Sequence, residues 1–84
     1  MERAHVFDQL MQYLASKINL SVEDIPLNES LLTRGLLDSF GVVELLEFME
    51  TTFDIKIPDR DVTQQKLGSV NKMVDYIVSR RTSR

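Results

Sequence analysis

Cysteine and tryptophan are absent from this 84-residue chain, and glycine, proline and histidine are scarce. Without cysteine, neither disulfides nor a zinc site built on thiolates can stabilise the fold. Three glycines and two prolines argue against a turn-rich all-β fold. The single His5 has no second histidine or cysteine to join it, so we expect no metal site. Stability must therefore come from burying the 43% hydrophobic residues in one modest core.

Long hydrophobic runs are also missing. No apolar stretch approaches the ~20 residues that cross a membrane, and the N-terminus lacks the apolar core of a signal peptide. We therefore expect residues 1–84 to form a single, monomeric, cytoplasmic domain that does not contact a membrane.

The net charge of −3 is unevenly distributed. Acidic residues predominate from residue 18 to residue 61, whereas basic residues predominate from residue 62 onwards. An acidic middle disfavours nucleic acid and suits a partner with a basic docking surface. A small DNA-binding helical domain would need a basic recognition helix, but the cations of Ser69 to Arg81 lie mainly at its end. Arg80, Arg81 and Arg84 fit a solvated, frayed helix end instead.

Hydrophobic periodicity predicts three long helices and one short one. The first two long helices span about residues 3–17 and 39–53, and the last begins after Ser69 as its N-cap. Asp59 is positioned to cap the short helix, which covers about residues 60–66. The sequence thus predicts an all-α fold, a small four-helix bundle with a long loop between helices 1 and 2.

That long loop is rich in leucine, which predicts that it packs across the helix ends rather than acting as a free linker. Residues 28–31 within it suggest one short turn of helix. The loop ends in Gly35-Leu36-Leu37-Asp38-Ser39-Phe40, which leads directly into the second helix.

Ser39 therefore lies near a helix N-terminus, where unpaired N–H groups and the helix dipole favour a negative charge such as a phosphate. From residue chemistry alone, a serine or aspartate at such a place is ordinarily only a helix cap. Neither Asp38 nor Ser39 has a Glu or Gln three residues later, so a capping box is excluded. Nucleophilic catalysis would need a base, and nothing in the sequence brings His5 to Ser39. We therefore expect the chain not to be an enzyme.

The residues Leu37-Asp38-Ser39, followed by Val42-Val43-Glu44-Leu45-Leu46, resemble the acyl carrier protein family. The similarity continues through residues 53–59 and 70–77. It implies that a phosphopantetheinyl transferase attaches a 4′-phosphopantetheine arm from coenzyme A to Ser39. The thiol of that arm would hold an acyl or aminoacyl group as a thioester, so the carrier needs no cysteine of its own.

The resemblance also implies roles for the residues around Ser39. Asp38 would either help to position the serine and magnesium for the transferase or simply begin the helix. The face that partner enzymes recognise would be formed by Glu44, Glu47 and Glu50, although each glutamate alone also fits a solvated helix face.

Apolar residues near Ser39 allow two further expectations. Phe40 would contact partners or the arm, or else fold inward onto Leu36 or Leu37. Three residues at helical spacing either belong to the plain core or line a space that shelters an acyl chain: Val43, Leu46 and Met49.

Two departures from the usual fatty-acid carriers stand out: Phe40 replaces leucine after the serine, and the net charge is only −3. They favour a discrete carrier of a specialised polyketide, aminoacyl, D-alanyl or lipid pathway. Its partners would include a loading ligase or acyltransferase and downstream synthase enzymes. The alternative is an unmodified carrier-like domain that acts only as a protein-interaction module.

Overall fold

A computed structural model describes residues 3–82 of the chain, which form four α-helices and two 3₁₀ turns. The helices are α1 (Arg3–Ile18), α2 (Ser39–Phe53), α3 (Gln64–Leu67) and α4 (Val70–Thr82). The 3₁₀ turns are Val22–Asp24 and Asp59–Asp61. The predicted small all-α fold, with three long helices and one short helix, is therefore confirmed. Within residues 3–82, none of the helices combines the length and apolar character that crossing a bilayer requires.

The core forms where α1 and α2 pack against α4. Each long helix contributes one apolar face at three-and-four spacing, as its periodicity predicts. The buried residues of the three faces are Val6, Leu10, Met11 and Leu14 from α1, Leu45, Met49 and Phe53 from α2, and Val70, Met73, Val74 and Ile77 from α4. At the edge of this core the rings of Tyr13 and Phe48 stack, with centroids 4.0 Å apart.

The loop between α1 and α2 packs onto the bundle through its buried residues Ile25, Leu31 and Leu37. It is also tied to α4, because the backbone N–H of Asn71 donates to the carbonyl of Leu27 at 3.0 Å. The prediction of a packed loop is confirmed.

The turn expected over residues 28–31 is displaced along the chain and covers residues 31–35. The Oγ atom of Ser30 accepts from the amide of Thr33 at 3.1 Å, and its carbonyl accepts from Arg34 at 3.0 Å. Ser30 thus begins the turn rather than lying inside it. Gly35 ends it at a φ of 78°, a left-handed conformation that glycine adopts without steric cost.

The short helix begins four residues later than predicted, and its cap is Thr63 rather than Asp59. Asp59 is instead the first residue of a separate 3₁₀ turn, whose N-cap position is occupied by Pro58. The Oγ1 atom of Thr63 accepts from the amide of Lys66 at 3.2 Å. The two pieces are separate because Asp61 turns its carboxylate inward and the backbone at Val62 leaves the helical region.

Ser69 caps α4 as predicted, since its Oγ atom accepts from the amide of Lys72 at 3.3 Å. The opposite end of α4 differs from the expected solvated, frayed end. Arg81 is partly buried and donates a hydrogen bond to the carbonyl of Phe53, at the end of α2, while Arg80 lies over the ring of Tyr76. The carbonyls that end a helix lack partners within it, and this explains why α2 attracts a guanidinium from α4. Arg84 lies outside the described residues.

Candidate functional site

The N-terminus of α2 is formed by Asp38 and Ser39. Asp38 has extended backbone angles, and its Oδ1 atom accepts a hydrogen bond from the amide of Gly41 at 2.7 Å. Asp38 is therefore the N-cap of α2, one of the two roles that the sequence left open. Its role toward magnesium stays a prediction.

Ser39 is the first residue of α2, and its side chain is exposed. Within the described chain its hydroxyl is hydrogen-bonded to neither an imidazole nor a carboxylate, and the Asp38 carboxylate is directed to Gly41. The hydroxyl is consequently accessible to another protein, at a helix end whose backbone N–H groups favour negative charge.

An apolar surface lies directly beside Ser39. Phe40 is 70% exposed and Val43, one turn further along α2, is 52% exposed. Of the two positions considered for Phe40, the structure places it outward. Exposed apolar side chains that are neighbours on one helix are a typical feature of surfaces that other molecules contact.

The three glutamates of α2 have different environments. Glu44 forms an ion pair with Lys17 of α1, and the hydrogen bond from this pair raises the pKa of Lys17. Glu50 accepts a hydrogen bond from the amide of Ile57 at 2.8 Å, which fixes the chain after α2. Glu47 is exposed and forms no ion pair within residues 3–82. Partner recognition by these residues stays a prediction, and Glu47 is the most available of the three.

An apolar cavity of about 210 Å³ lies beside α2. It is lined by four residues of α2, by the preceding loop, by the segment that contains α3, and by one residue of α4. These residues are Val42, Leu45, Leu46 and Met49; Ser30, Leu31, Leu32 and Leu37; Val62, Thr63, Gln64, Leu67 and Gly68; and Met73.

Two of the three residues expected at such a space, Leu46 and Met49, line the cavity. Val43 does not, because it points outward, and the expectation is wrong for this residue. Val42 takes the inward place, since it shares a helical face with Leu46 and Met49. The loop forms another side of the cavity through Leu31, Leu32 and Leu37, and its high leucine content is the sequence signal that indicates this.

A second, more open cleft of about 500 Å³ lies between the end of α1 and the start of α2. Lys17, Asp38, Phe40 and Glu44 are among the residues that line it. This cleft was not expected from the sequence, because it depends on how α1 and α2 approach each other. It leaves open space on the surface next to the first residue of α2.

Comparison with known proteins identifies the family. Residues 8–77 match the family described as "Phosphopantetheine attachment site". The chain is also 35% identical, over 81 residues, to the acyl carrier protein of Chlorobium phaeovibrioides, covering 95% of this chain and 100% of that protein. The chain belongs to the acyl carrier protein family.

Other acyl carrier proteins show similar agreement. The protein from Buchnera aphidicola is 37% identical over 73 residues, covering 87% of this chain and 90% of that protein. The protein from Clostridium acetobutylicum is 31% identical over 72 residues, covering 86% and 91%. The predicted family and its phosphopantetheine cofactor are thereby confirmed. Acyl carrier proteins are carriers rather than catalysts, and as a family they interact with transferases and with acyl-handling enzymes.

Proposed function

We propose that this acyl carrier protein is modified on Ser39 and carries an acyl or aminoacyl group to partner enzymes. The observation that carries the proposal is the position of Ser39 as the exposed first residue of α2. The resemblance of Leu37-Asp38-Ser39 to the family supports attachment at this serine. When bound, the phosphopantetheine group supplies the thiol that forms the thioester with the cargo.

The residues around Ser39 fit a phosphodiester. The first amides of α2 have no acceptor within the helix, and only that of Gly41 is used by the Asp38 cap. The N–H groups of Ser39 and Phe40 are therefore left to face the negative charge. Asp38 contributes by holding this helix end in place. The chain holds the cargo in this proposal, and the partner enzymes perform the chemistry on it.

The cavity beside α2 supports temporary shelter of a cargo chain. An engineered protein cavity of ~150 Å³ lined by apolar side chains holds a benzene molecule. The cavity here is larger, at about 210 Å³, and Leu46, Met49 and Met73 give it an apolar lining. It therefore suits a short to medium acyl group better than a charged aminoacyl group.

The surface around Ser39 suits brief contacts with several enzymes. Phe40 and Val43 provide an apolar contact, and Glu47 provides a charge that speeds encounter without adding much lasting affinity. The partners in this proposal are a phosphopantetheinyl transferase, a loading ligase or acyltransferase, and synthase enzymes. Phe40 and the modest net charge favour a specialised pathway, in which residues 1–84 act as one monomeric, cytoplasmic carrier domain.

Intact-protein mass spectrometry tests the proposal. The purified protein is incubated with coenzyme A, magnesium and a phosphopantetheinyl transferase of broad specificity, alongside Ser39→Ala and the matched control Ser16→Ala. Ser16 is an exposed helical serine on α1. We expect the wild type and Ser16→Ala to gain one phosphopantetheine and Ser39→Ala to gain none. A gain by Ser39→Ala would overturn the site, and a partner that binds equally well without the arm would favour a pure interaction module.

A further inference from the structure

Asp61 is the only charged residue buried among residues 3–82, with 5% of its surface exposed. Its Oδ2 atom accepts a hydrogen bond from the hydroxyl of Tyr76 at 2.6 Å, and its Oδ1 atom accepts from Nζ of Lys66 at 2.7 Å. A buried carboxylate is costly unless both oxygens are paired, as they are here. Asp61 takes no part in the proposed attachment of the arm, so its presence needs another explanation.

The position of Asp61 supplies that explanation. It ends the 3₁₀ turn Asp59–Asp61, and the next residues, Val62 and Thr63, already line the apolar cavity. The segment of residues 59–68, which we call the cavity wall, faces α2 across this space. Asp61 joins the cavity wall to Tyr76, a partly buried residue of α4 that packs against the core.

The cavity wall has little structure of its own. Its helix α3 has four residues, far fewer than the ~12–15 that make an isolated helix even marginally stable. Tertiary contacts must therefore hold it in place. Packing against α4 includes the buried Leu67. Within residues 3–82, the hydrogen bonds that join the wall to α4 are the Asp61–Tyr76 bond and a longer bond of 3.3 Å from Lys72 to the carbonyl of Gln64.

We propose that the hydrogen bond between Asp61 and Tyr76 is a latch that holds the cavity wall against α4, that Lys66 supports it by pairing the second oxygen of Asp61, and that opening of this latch exposes the cavity. Apolar residues often stabilise a protein as well as a buried ion pair does, whereas directional hydrogen bonds fix one position of the wall. Burial and the bond to Asp61 raise the pKa of Tyr76 to about 12, so its hydroxyl remains a donor at neutral pH. The link from this latch to cargo release rests on the proposed function.

Hydrogen exchange in the unmodified protein tests the latch without any cargo. Tyr76→Phe removes one latch bond, and Tyr13→Phe is the matched control, because the Tyr13 hydroxyl donates no hydrogen bond within residues 3–82. The reporters are the amides of Lys66 and Leu67, which bond to Thr63, and the amide of Met73 reports on α4.

We expect Tyr76→Phe to speed exchange at Lys66 and Leu67 about tenfold, while Met73 changes much less. Tyr13→Phe should not show this selective change. Unchanged exchange at Lys66 and Leu67 would overturn the latch. An equal increase at Met73 would also overturn it, because it would show a general loss of stability rather than local opening.

A second measurement links the latch to the cargo. Hexanoyl thioesters of the modified wild type and of modified Tyr76→Phe are compared for hydrolysis, with hexanoyl-pantetheine as the unprotected reference. We expect slow hydrolysis in the wild type and several-fold faster hydrolysis in Tyr76→Phe. Equal protection in both proteins would overturn control of the cavity by the latch. If both hydrolyse as fast as the reference while exchange responds as expected, the latch stands and the proposed shelter of cargo fails.

Discussion

The Oδ1 atom of Asp38 lies 2.7 Å from the amide nitrogen of Gly41, so the acid next to the candidate serine holds the helix end on which that serine lies. Replacing Asp38 with alanine should therefore destabilise the protein by about 1 kcal/mol, the usual cost of losing an N-cap. Urea unfolding measures this cost. Asp38→Ser, which keeps a capping oxygen, should recover most of it, and equal stability of the alanine and serine variants would contradict the capping role.

Glu50 and Glu47 lie one turn apart on α2 and should respond differently to substitution. Glu50→Ala removes the acceptor for the Ile57 amide and should cost about 1–2 kcal/mol in the free energy of unfolding. Glu50→Gln retains an acceptor oxygen and should cost less.

Glu47→Ala should change stability by no more than about 0.5 kcal/mol, because the side chain is exposed. Its effect should appear instead as slower association with a transferase at low salt. Stopped-flow binding at two ionic strengths separates the two effects. A large stability loss in Glu47→Ala, or none in Glu50→Ala, would reverse the assigned roles.

Glycine is required at position 68 because the backbone of Gln64 lies very close to it. A Cβ atom on residue 68 would lie 2.2 Å from the backbone oxygen of Gln64. Because this is a backbone atom, rotation of a side chain cannot remove the clash. Gly68→Ala should therefore destabilise the protein by about 1–3 kcal/mol. Gln65→Ala, an exposed neighbour in α3, is the control and should be almost neutral. If Gly68→Ala unfolds at the wild-type urea midpoint, the backbone of the cavity wall can shift to accept the extra methyl group, and the requirement for glycine is wrong.

Asp61 makes stability depend on pH in the acidic range. Hydrogen bonds from Lys66 and then from Tyr76 hold the pKa of Asp61 below its ordinary value of 3.8. Since the folded pKa is the lower one, the stabilisation is complete above the unfolded pKa and is lost as the pH falls through the folded value.

The difference in unfolding free energy between wild type and Asp61→Asn should accordingly be constant from about pH 5 to pH 7 and shrink below about pH 4. Urea titrations at several pH values measure this difference. A gap that stays constant down to about pH 2 would show that ionised Asp61 does not contribute.

The long helices were predictable because each repeats an apolar face over several turns, as in the buried series Val6, Leu10 and Leu14 of α1. The N-terminus of α2 was also predictable, because Asp38 and Ser39 are followed directly by apolar residues at helical spacing. These features depend only on local spacing. They predicted correctly that Ser39 is the first residue of α2.

The short helix and the cavity wall depend on contacts that local spacing does not reveal. Asp61 bonds to Tyr76, fifteen positions along the chain, and this contact divides the predicted helix in two. In the sequence Glu50 is indistinguishable from Glu47, because the hydrogen bond from the Ile57 amide to Glu50 depends on how the chain turns back after α2. Val43 was expected either in the core or at the cavity, whereas it is exposed, because a wide apolar helix surface does not by itself show which residues face inward.

Peptide mapping after modification determines which residue carries the arm. After reaction with coenzyme A and a transferase, trypsin digestion releases the peptide of residues 35–56, in which Ser39 is the only serine. Tandem mass spectrometry of the digest should find phosphopantetheine on Ser39 of this peptide and on no other peptide. Modification of a different serine, or an unmodified 35–56 peptide from a protein that has gained the mass of the arm, would contradict attachment of the arm to Ser39.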